Sequence, residues 1–282
     1  MHLRRLVAGV CAAIGLAGAA LLLSGSAAPT EPTGRPFRVL QANLCNSGIA
    51  GCYTGRSVDE TARLIRSTRP DVVTLNEVCD ADVDVLAQVM ADVHEREIAS
   101  AFQTAPDRRT GGATKCLNGR DFGVGLLVLT STPARTSGGI YPVQDVKDPE
   151  IRVWLCMQGR GFDACTTHLA STDADVALAQ CHYLLSSAIP DFRDFDGYQP
   201  TVLGGDLNLK SGNTPDVRPC IPLGYSHYGD GDVQHILMTS EFDAGSLASI
   251  GMNGASDHPA LLVTVAMPQK PPSSCIIGPV CG

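Results

Sequence analysis

Residues 201–212 read TVLGGDLNLKSG. Thr201, Val202 and Leu203 have the β-branched, apolar character of a short buried strand. Gly204 and Gly205 loosen the backbone, and an acid and an amide follow two apart, Asp206 and Asn208. Residues i and i+2 of a strand share a face, so both can address one ligand. Taken alone, the stretch reads equally well as an ordinary turn.

Working outward, the same arrangement recurs. Asn43 follows RVLQA, Glu77 follows DVVTLN, His168 follows ACTT, and Asp257 and His258 precede PALLV. In α/β proteins, binding sites form at strand ends, where loops are free to carry polar groups. Each group alone is compatible with a structural role; their order along the chain is what points to a site.

The connecting segments supply helices. SVDETARLIRSTRP (57–70) has Ser57 as N-cap, Glu60 three residues later, Ala62, Leu64 and Ile65 as apolar positions and a stop at Pro70. DADVDVLAQVMADVHE predicts a second helix with Val85, Leu86, Val89, Met90 and Val93 on one face. DADVALAQCHYLLSSAI predicts a third, ending at Pro190. Strands are expected in DFGVGLLVLTSTP, IRVWLCM, FDACTTHLAS, PTVLGGDLNL, DVQHILMTS and PALLVTVAM, with a polar, glycine-rich loop at 104–120. Strand and helix alternate early and strands dominate later, which predicts a layered α/β protein with more antiparallel than parallel pairing.

The chain has 282 residues, 44% of them hydrophobic, enough for a large core. Arg4 and Arg5 precede an apolar run, Leu6 to Leu23, and then small residues, the order of a secretory signal peptide. The expected organisation is a signal peptide at 1–28, a linker at 29–36, one domain at 37–267 and a Pro/Cys tail at 268–282. A retained membrane anchor is the competing reading of the N-terminus. Of eleven cysteines, ten remain once Cys11 leaves, an even number that suits an oxidising compartment. Cys156 and Cys165 flank a hairpin turn, Cys45 and Cys52 could close a loop, and Cys275 and Cys281 the tail. The formal charge of −8 carries no basic footprint for tight nucleic-acid binding, although a metal and a few donors can hold a phosphate locally.

The set RVLQANLC, DVVTLNEVC, FGVGLLVLTSTP, TTHL, VLGGDLNL, VQHILMTS and SDHPALLV, in this order over about residues 36–267, resembles the endonuclease/exonuclease/phosphatase superfamily, the fold of deoxyribonuclease I. The resemblance implies a four-layer sandwich of two packed, mainly antiparallel sheets flanked by helices. It also implies phosphoester hydrolysis with a divalent metal, Mg²⁺ or Mn²⁺. The residue types fit that chemistry. Magnesium takes hard oxygen ligands, and Glu77 is the expected main ligand, with Asn43 beside it and Asp257 as a further partner. Asp206 is expected to orient or deprotonate the attacking water, with Asn208 holding the phosphate or fixing Asp206. His168 and His258 are expected donors to phosphoryl oxygens, one of them also a candidate acid or base.

One position departs from the family pattern. Most relatives carry an acid where this chain has Gln234, and that acid orients the final histidine. Asp232, two residues upstream, is a candidate substitute. On this reading Gln234→Asp should raise the rate. His235 is expected to be structural.

The expected function is an exported, monomeric phosphoesterase, with nucleic acid favoured as substrate. A sphingomyelinase or other phosphatase on the same fold is the alternative, and a catalytically weakened binding module the third reading. The chain lacks His-Glu-x-x-His, Gly-x-Ser-x-Gly and P-loop motifs. Arg108, Arg109, Lys115, Arg120 and Lys210 are candidates for contacts with substrate phosphates, or simply a solvated surface.

Overall fold

A computed structural model describes residues 35–130, 135–194 and 197–267. The expected signal peptide, most of the linker, the tail and the Cys275–Cys281 pair lie outside the described residues. Among the described residues, twelve strands form two six-stranded sheets. The first sheet holds, in spatial order, β11 (Ser246–Ile250), β12 (Ala260–Ala266), β1 (Pro36–Asn43), β2 (Val72–Cys79), β4 (Phe122–Val128) and β3 (Ala99–Thr104). The second holds β5 (Thr136–Ile140), β6 (Val153–Gln158), β7 (Asp163–His168), β8 (Thr201–Asp206), β10 (Gln234–Thr239) and β9 (Tyr225–Gly229). Each sheet has one parallel pair at its centre, β1 with β2 and β7 with β8; the remaining pairs are antiparallel.

The layers follow from strand alternation. Val39, Val72, Leu126, Leu155, Val202, Ile236 and Val263 fill the space between the sheets. The outward face of the first sheet, with Leu40, Val73, Leu75 and Leu127, packs under α1 (Ser57–Thr68) and α2 (Asp80–His94). Cys165, Leu203 and Leu237 on the second sheet pack under α3 (Ala174–Tyr183), a π-helical turn at Leu184–Ala188 and α4 (Ile189–Asp194). Each such aliphatic side chain, fully buried, contributes about 1.5–3 kcal/mol. The result is the helix–sheet–sheet–helix sandwich expected from the sequence.

Three local expectations differ. Ser57 is the first helical residue and Arg56 the cap; the Ser57 hydroxyl donates to Asn46 Oδ1 instead (3.2 Å). On α2, Val83 is buried and Val85 is 52% exposed, so the buried stripe is Val83, Leu86, Val89 and Met90. The third helical region does not end at Pro190. The π-helical turn relaxes the ladder just before it, and Pro190 falls in the first turn of α4, where a missing N–H costs little.

Among the described residues, four disulfides brace the fold: Cys45–Cys52, Cys79–Cys116, Cys156–Cys165 and Cys181–Cys220. The expected Cys45–Cys52 and Cys156–Cys165 bridges are both present, the latter across paired residues of β6 and β7. The other two join elements far apart in sequence, where spacing gives no guide.

Candidate active site

The parallel pairs end together. Asn43 on β1 is in register with Asn76 on β2, and His168 on β7 with Asp206 on β8. Four strand ends therefore place polar side chains at one edge of the sandwich. A buried polar seam leads to it between the sheets. Thr74 Oγ1 donates to Gln41 Oε1, while Gln41 Nε2 donates to Asn76 Oδ1 (2.6 Å) and Gln234 Oε1 (3.0 Å). Asn76 Nδ2 donates to the Thr167 carbonyl (2.9 Å), and its Oδ1 accepts from the Asp206 amide (2.7 Å). A seam this well satisfied fixes the register of the sheets; half-satisfied, it would be costly. It also explains the glycine pair of the opening motif. A Cβ at Gly204 would sit 2.3 Å from Thr74 Oγ1, and one at Gly205 would sit 2.4 Å from the Thr167 carbonyl oxygen.

Glu77 lies where the pairing of β2 with β4 shifts register, between Leu75 and Val78. Its φ is +51°, a left-handed conformation rare for glutamate. Bulges of this kind re-aim a side chain at the rim of a sheet, and strained backbone concentrates at functional sites. The Cys79–Cys116 bridge ties this strand end to the loop before β4, and Cys45–Cys52 closes the loop after β1. The sulfurs of Cys45 and Cys52 and a carboxylate oxygen of Asp257 lie within 4.8 Å of one another; with the sulfurs bonded to each other, this is a brace and not a thiolate site.

Asn43 is the hub. Its Nδ2 donates to Glu77 Oε1 (2.8 Å) and to Asp206 Oδ2 (3.0 Å), and its Oδ1 accepts from the Cys45 amide (3.0 Å). The Cys45 N–H thus turns the amide nitrogen, not the oxygen, toward the carboxylates. Asn43, expected as a metal ligand, is placed as the donor that fixes both acids.

Asp206 is 1% exposed. Its Oδ2 also accepts from Gln234 Nε2 (2.7 Å), and its Oδ1 accepts from the Asn208 amide (3.1 Å). Asn208 Nδ2 donates to the Leu169 carbonyl (2.9 Å), so Asn208 meets Asp206 through its main chain and not its side chain. His258 Nε2 faces Asp206 Oδ2 at 3.7 Å and Asp257 Oδ2 at 3.9 Å, and His168 Nε2 faces Glu77 Oε1 at 4.0 Å.

Gln234 does not reach His258. It is the donor that holds Asp206, and His258 faces Asp206 directly. Asp232 is about half exposed and pairs with Lys210 (2.5 Å), so it replaces nothing at the site. His235 has the expected structural role, with Nε2 on the Leu209 carbonyl (2.7 Å) and Nδ1 on His227 Nε2 (2.8 Å). The basic side chains are already engaged: Arg109 by Asp107, Lys115 by Asp121, Arg120 by Asp80, and Arg108 by the Asp145 and Asp148 carbonyls.

Sequence reasoning missed Arg152. This buried arginine, just before β6, lies 2.8 Å through Nη1 from His168 Nδ1 and is held by Asp148 and Glu150. No periodicity marks it; only its place one residue before a strand end could have drawn attention.

The electrostatics are those of a site short of positive charge. Burial pushes the Glu77 carboxyl above the usual range; the Asn43 hydrogen bond opposes this and the Asp206 charge adds to it. Burial likewise pushes Asp206 up, against the His258 charge and the hydrogen bonds from Asn43, Asn208 and Gln234. Burial and then the Arg152 charge hold His168 well below the ordinary histidine value. Two crowded carboxylates with raised pKa values, offering hard oxygens, fit a divalent cation such as Mg²⁺.

A two-sheet sandwich with acids and imidazoles gathered at the ends of its central strands defines a deoxyribonuclease I-like protein. Residues 40–258 match the model of the Endonuclease/Exonuclease/phosphatase family, and the chain belongs to that family, whose members act on phosphoesters. No curated protein matches the chain in sequence. Among solved structures, the chain is similar to a family protein from Bacteroides thetaiotaomicron (TM-score 0.59, 11% identity, covering 83% of this chain and 98% of that one). It is similar to one from Beutenbergia cavernae (TM-score 0.58, 20% identity, 83% and 72%) and to the human Nocturnin catalytic domain with bound sulfate (TM-score 0.59, 17% identity, 82% and 93%). At these identities the likeness establishes the fold.

Proposed function

We infer that the protein is an exported, metal-dependent phosphoester hydrolase that cleaves phosphodiesters, with nucleic acid as the favoured substrate. One observation carries the reading: Asn43 bridges Glu77 and Asp206, and two imidazoles face those acids at 4.0 and 3.7 Å. Export is supported by the leader-like N-terminus and by the four disulfides.

Glu77, with Asp257 near it, would hold the cation. Once bound, the cation polarises a phosphoryl oxygen and offsets charge on the leaving group. Asp206 orients the attacking water and takes its proton as the water oxygen bonds to phosphorus. The ester P–O bond then breaks, and the leaving oxygen takes a proton from His258, the more exposed of the two imidazoles. Asn43, Gln234 and Asn208 keep the Asp206 carboxylate in one orientation throughout.

A lipid phosphodiester is the second reading. Ile49 and Leu117 are 71% and 74% exposed, and their loops are joined by a Leu117 N–H to Ser47 carbonyl bond (2.8 Å). These loops follow β1 and precede β4, both strands of the sheet that carries Glu77. Apolar side chains so placed suit a lipid surface.

The test is a panel of plasmid DNA, RNA and sphingomyelin vesicles, each with Mg²⁺ or Mn²⁺, using wild type and Ile49→Ser/Leu117→Ser. Cleavage of DNA or RNA, equal in both proteins, supports the nuclease reading. Sphingomyelin cleavage that collapses in the double variant supports the lipid reading. Turnover of none of the three overturns both.

A further inference from the structure

The contacts of Arg152 assign a role to His168 that the paired acids alone do not. Arg152 is 4% exposed. Its Nη2 donates to Asp148 Oδ2 (2.7 Å) and Ser171 Oγ (3.2 Å), and its Nη1 lies 3.3 Å from Glu150 Oε1. Its main chain is clamped by Gln144, whose Oε1 accepts from the Arg152 amide (2.8 Å) and whose Nε2 donates to the Arg152 carbonyl (2.9 Å). The two acids neutralise the guanidinium where it is buried, and the clamp fixes its position.

Nη1 is 2.8 Å from His168 Nδ1. A guanidinium has only donors and keeps its proton, so the ring nitrogen it meets is the acceptor. Nδ1 is therefore bare, and in the neutral ring the proton sits on Nε2, the nitrogen that faces Glu77 and the site. An acid in the place of Arg152 would do the opposite: it would take the Nδ1 proton and leave Nε2 bare, a base. Among the described residues, no hydrogen bond holds the His258 ring in this way.

We propose that Arg152 is a positioning residue that locks His168 in the Nε2–H tautomer. His168 is then a fixed Nε2–H donor to a phosphoryl oxygen, and proton transfer falls to Asp206 and His258. This rests on the hydrolase reading above for the phosphoryl oxygen, but the tautomer itself does not.

The test is nitrogen NMR of the imidazoles in the ¹⁵N-labelled, metal-free chain, with His168 assigned by the loss of its signals in His168→Gln. In wild type, His168 should show a protonated Nε2 and a bare Nδ1. In Arg152→Met the two tautomers should mix. With metal and a phosphodiester, Arg152→Met should lose about tenfold to hundredfold in kcat, less than the roughly hundredfold to thousandfold of deleting an oriented donor because part of the ring population keeps Nε2–H, with KM nearly unchanged. Arg152→Lys, which keeps one donor, should restore the tautomer and most of the rate. A protonated Nδ1 in wild type overturns the proposal, and that spectrum decides even where Arg152→Met fails to fold. So does a single Nε2–H tautomer retained in a folded Arg152→Met. An inactive wild type with Nε2–H at His168 refutes the hydrolase reading and leaves the lock standing; an active one with Nδ1–H refutes the lock alone.

Discussion

Replacing Gln234 by aspartate reverses sign between sequence and structure. On the family pattern the change restores an acid and should speed the reaction. In the structure Gln234 is fully buried, its Nε2 donates to Asp206 Oδ2 at 2.7 Å and its Oε1 accepts from Gln41 at 3.0 Å. Gln234→Asp removes that donor and sets a second carboxylate beside the first. A hydrogen bond to a charged group contributes about 1.5–3 kcal/mol. Two like charges ~4 Å apart repel by about 4 kcal/mol at an effective dielectric of about 20. Protonation of one acid relieves part of this, for a net loss of about 3–5 kcal/mol. That proton also removes the base, so kcat should fall about tenfold to hundredfold near neutral pH. Urea unfolding followed by Trp154, the single tryptophan, with disulfides intact, measures the first quantity; phosphodiester turnover measures the second. Gln234→Leu, which deletes the donor without adding charge, should lose less stability. A Gln234→Asp protein that is as stable as wild type and faster would refute the placement of Gln234 as the Asp206 donor.

Two further predictions concern stability. Burial and the neighbouring His235 hold His227 down to about 4, so between that value and the ordinary 6.5 the unfolded chain binds more protons than the folded one. Stability therefore rises with pH across this window and is lost on acidification. The full shift corresponds to about 3 kcal/mol, and about 1–2 after solvent screening of a half-buried group. His227→Gln should flatten the curve of stability against pH from 4 to 6.5 by that amount, and an unchanged curve would contradict the assignment. Cys181–Cys220 closes a separation of 39 residues, for which chain entropy gives about 4 kcal/mol. Cys181→Ser/Cys220→Ser should lower the urea-derived stability by about 2–4 kcal/mol, and no loss would mean the bridge does not form.

The strands that sequence pattern revealed are the central ones. β1, β2, β4, β6, β7, β8, β10 and β12 have apolar runs because both faces are covered. The four that pattern missed, β3, β5, β9 and β11, are the four sheet edges. Their sequences, such as TSGGI and SLASI, are polar and largely solvated, so nothing forces an apolar alternation. The site divides in a similar way. Asn43, Glu77, His168, Asp206 and His258, which the structure gathers at one edge, stand out in the sequence because each lies at or near the end of a strong strand. What the side chains do to one another was not. The amide of Asn43 is turned by a backbone N–H two residues away, Gln234 serves Asp206 and not His258, and Arg152 reaches His168 from the residue just before β6. Such partnerships are set by sheet register and loop path, which leave no local signature.

The proposed activity is hydrolysis of phosphodiesters by the Glu77–Asn43–Asp206 cluster with His258 and a divalent metal. The most direct test is the turnover of a simple phosphodiester by the disulfide-intact protein in Mg²⁺ or Mn²⁺, measured beside Asp206→Ala and His258→Ala and repeated with chelator. Wild type should hydrolyse the diester in metal alone, and either substitution or chelation should abolish turnover. Full turnover in the Asp206→Ala protein, or with the metal removed, would contradict it.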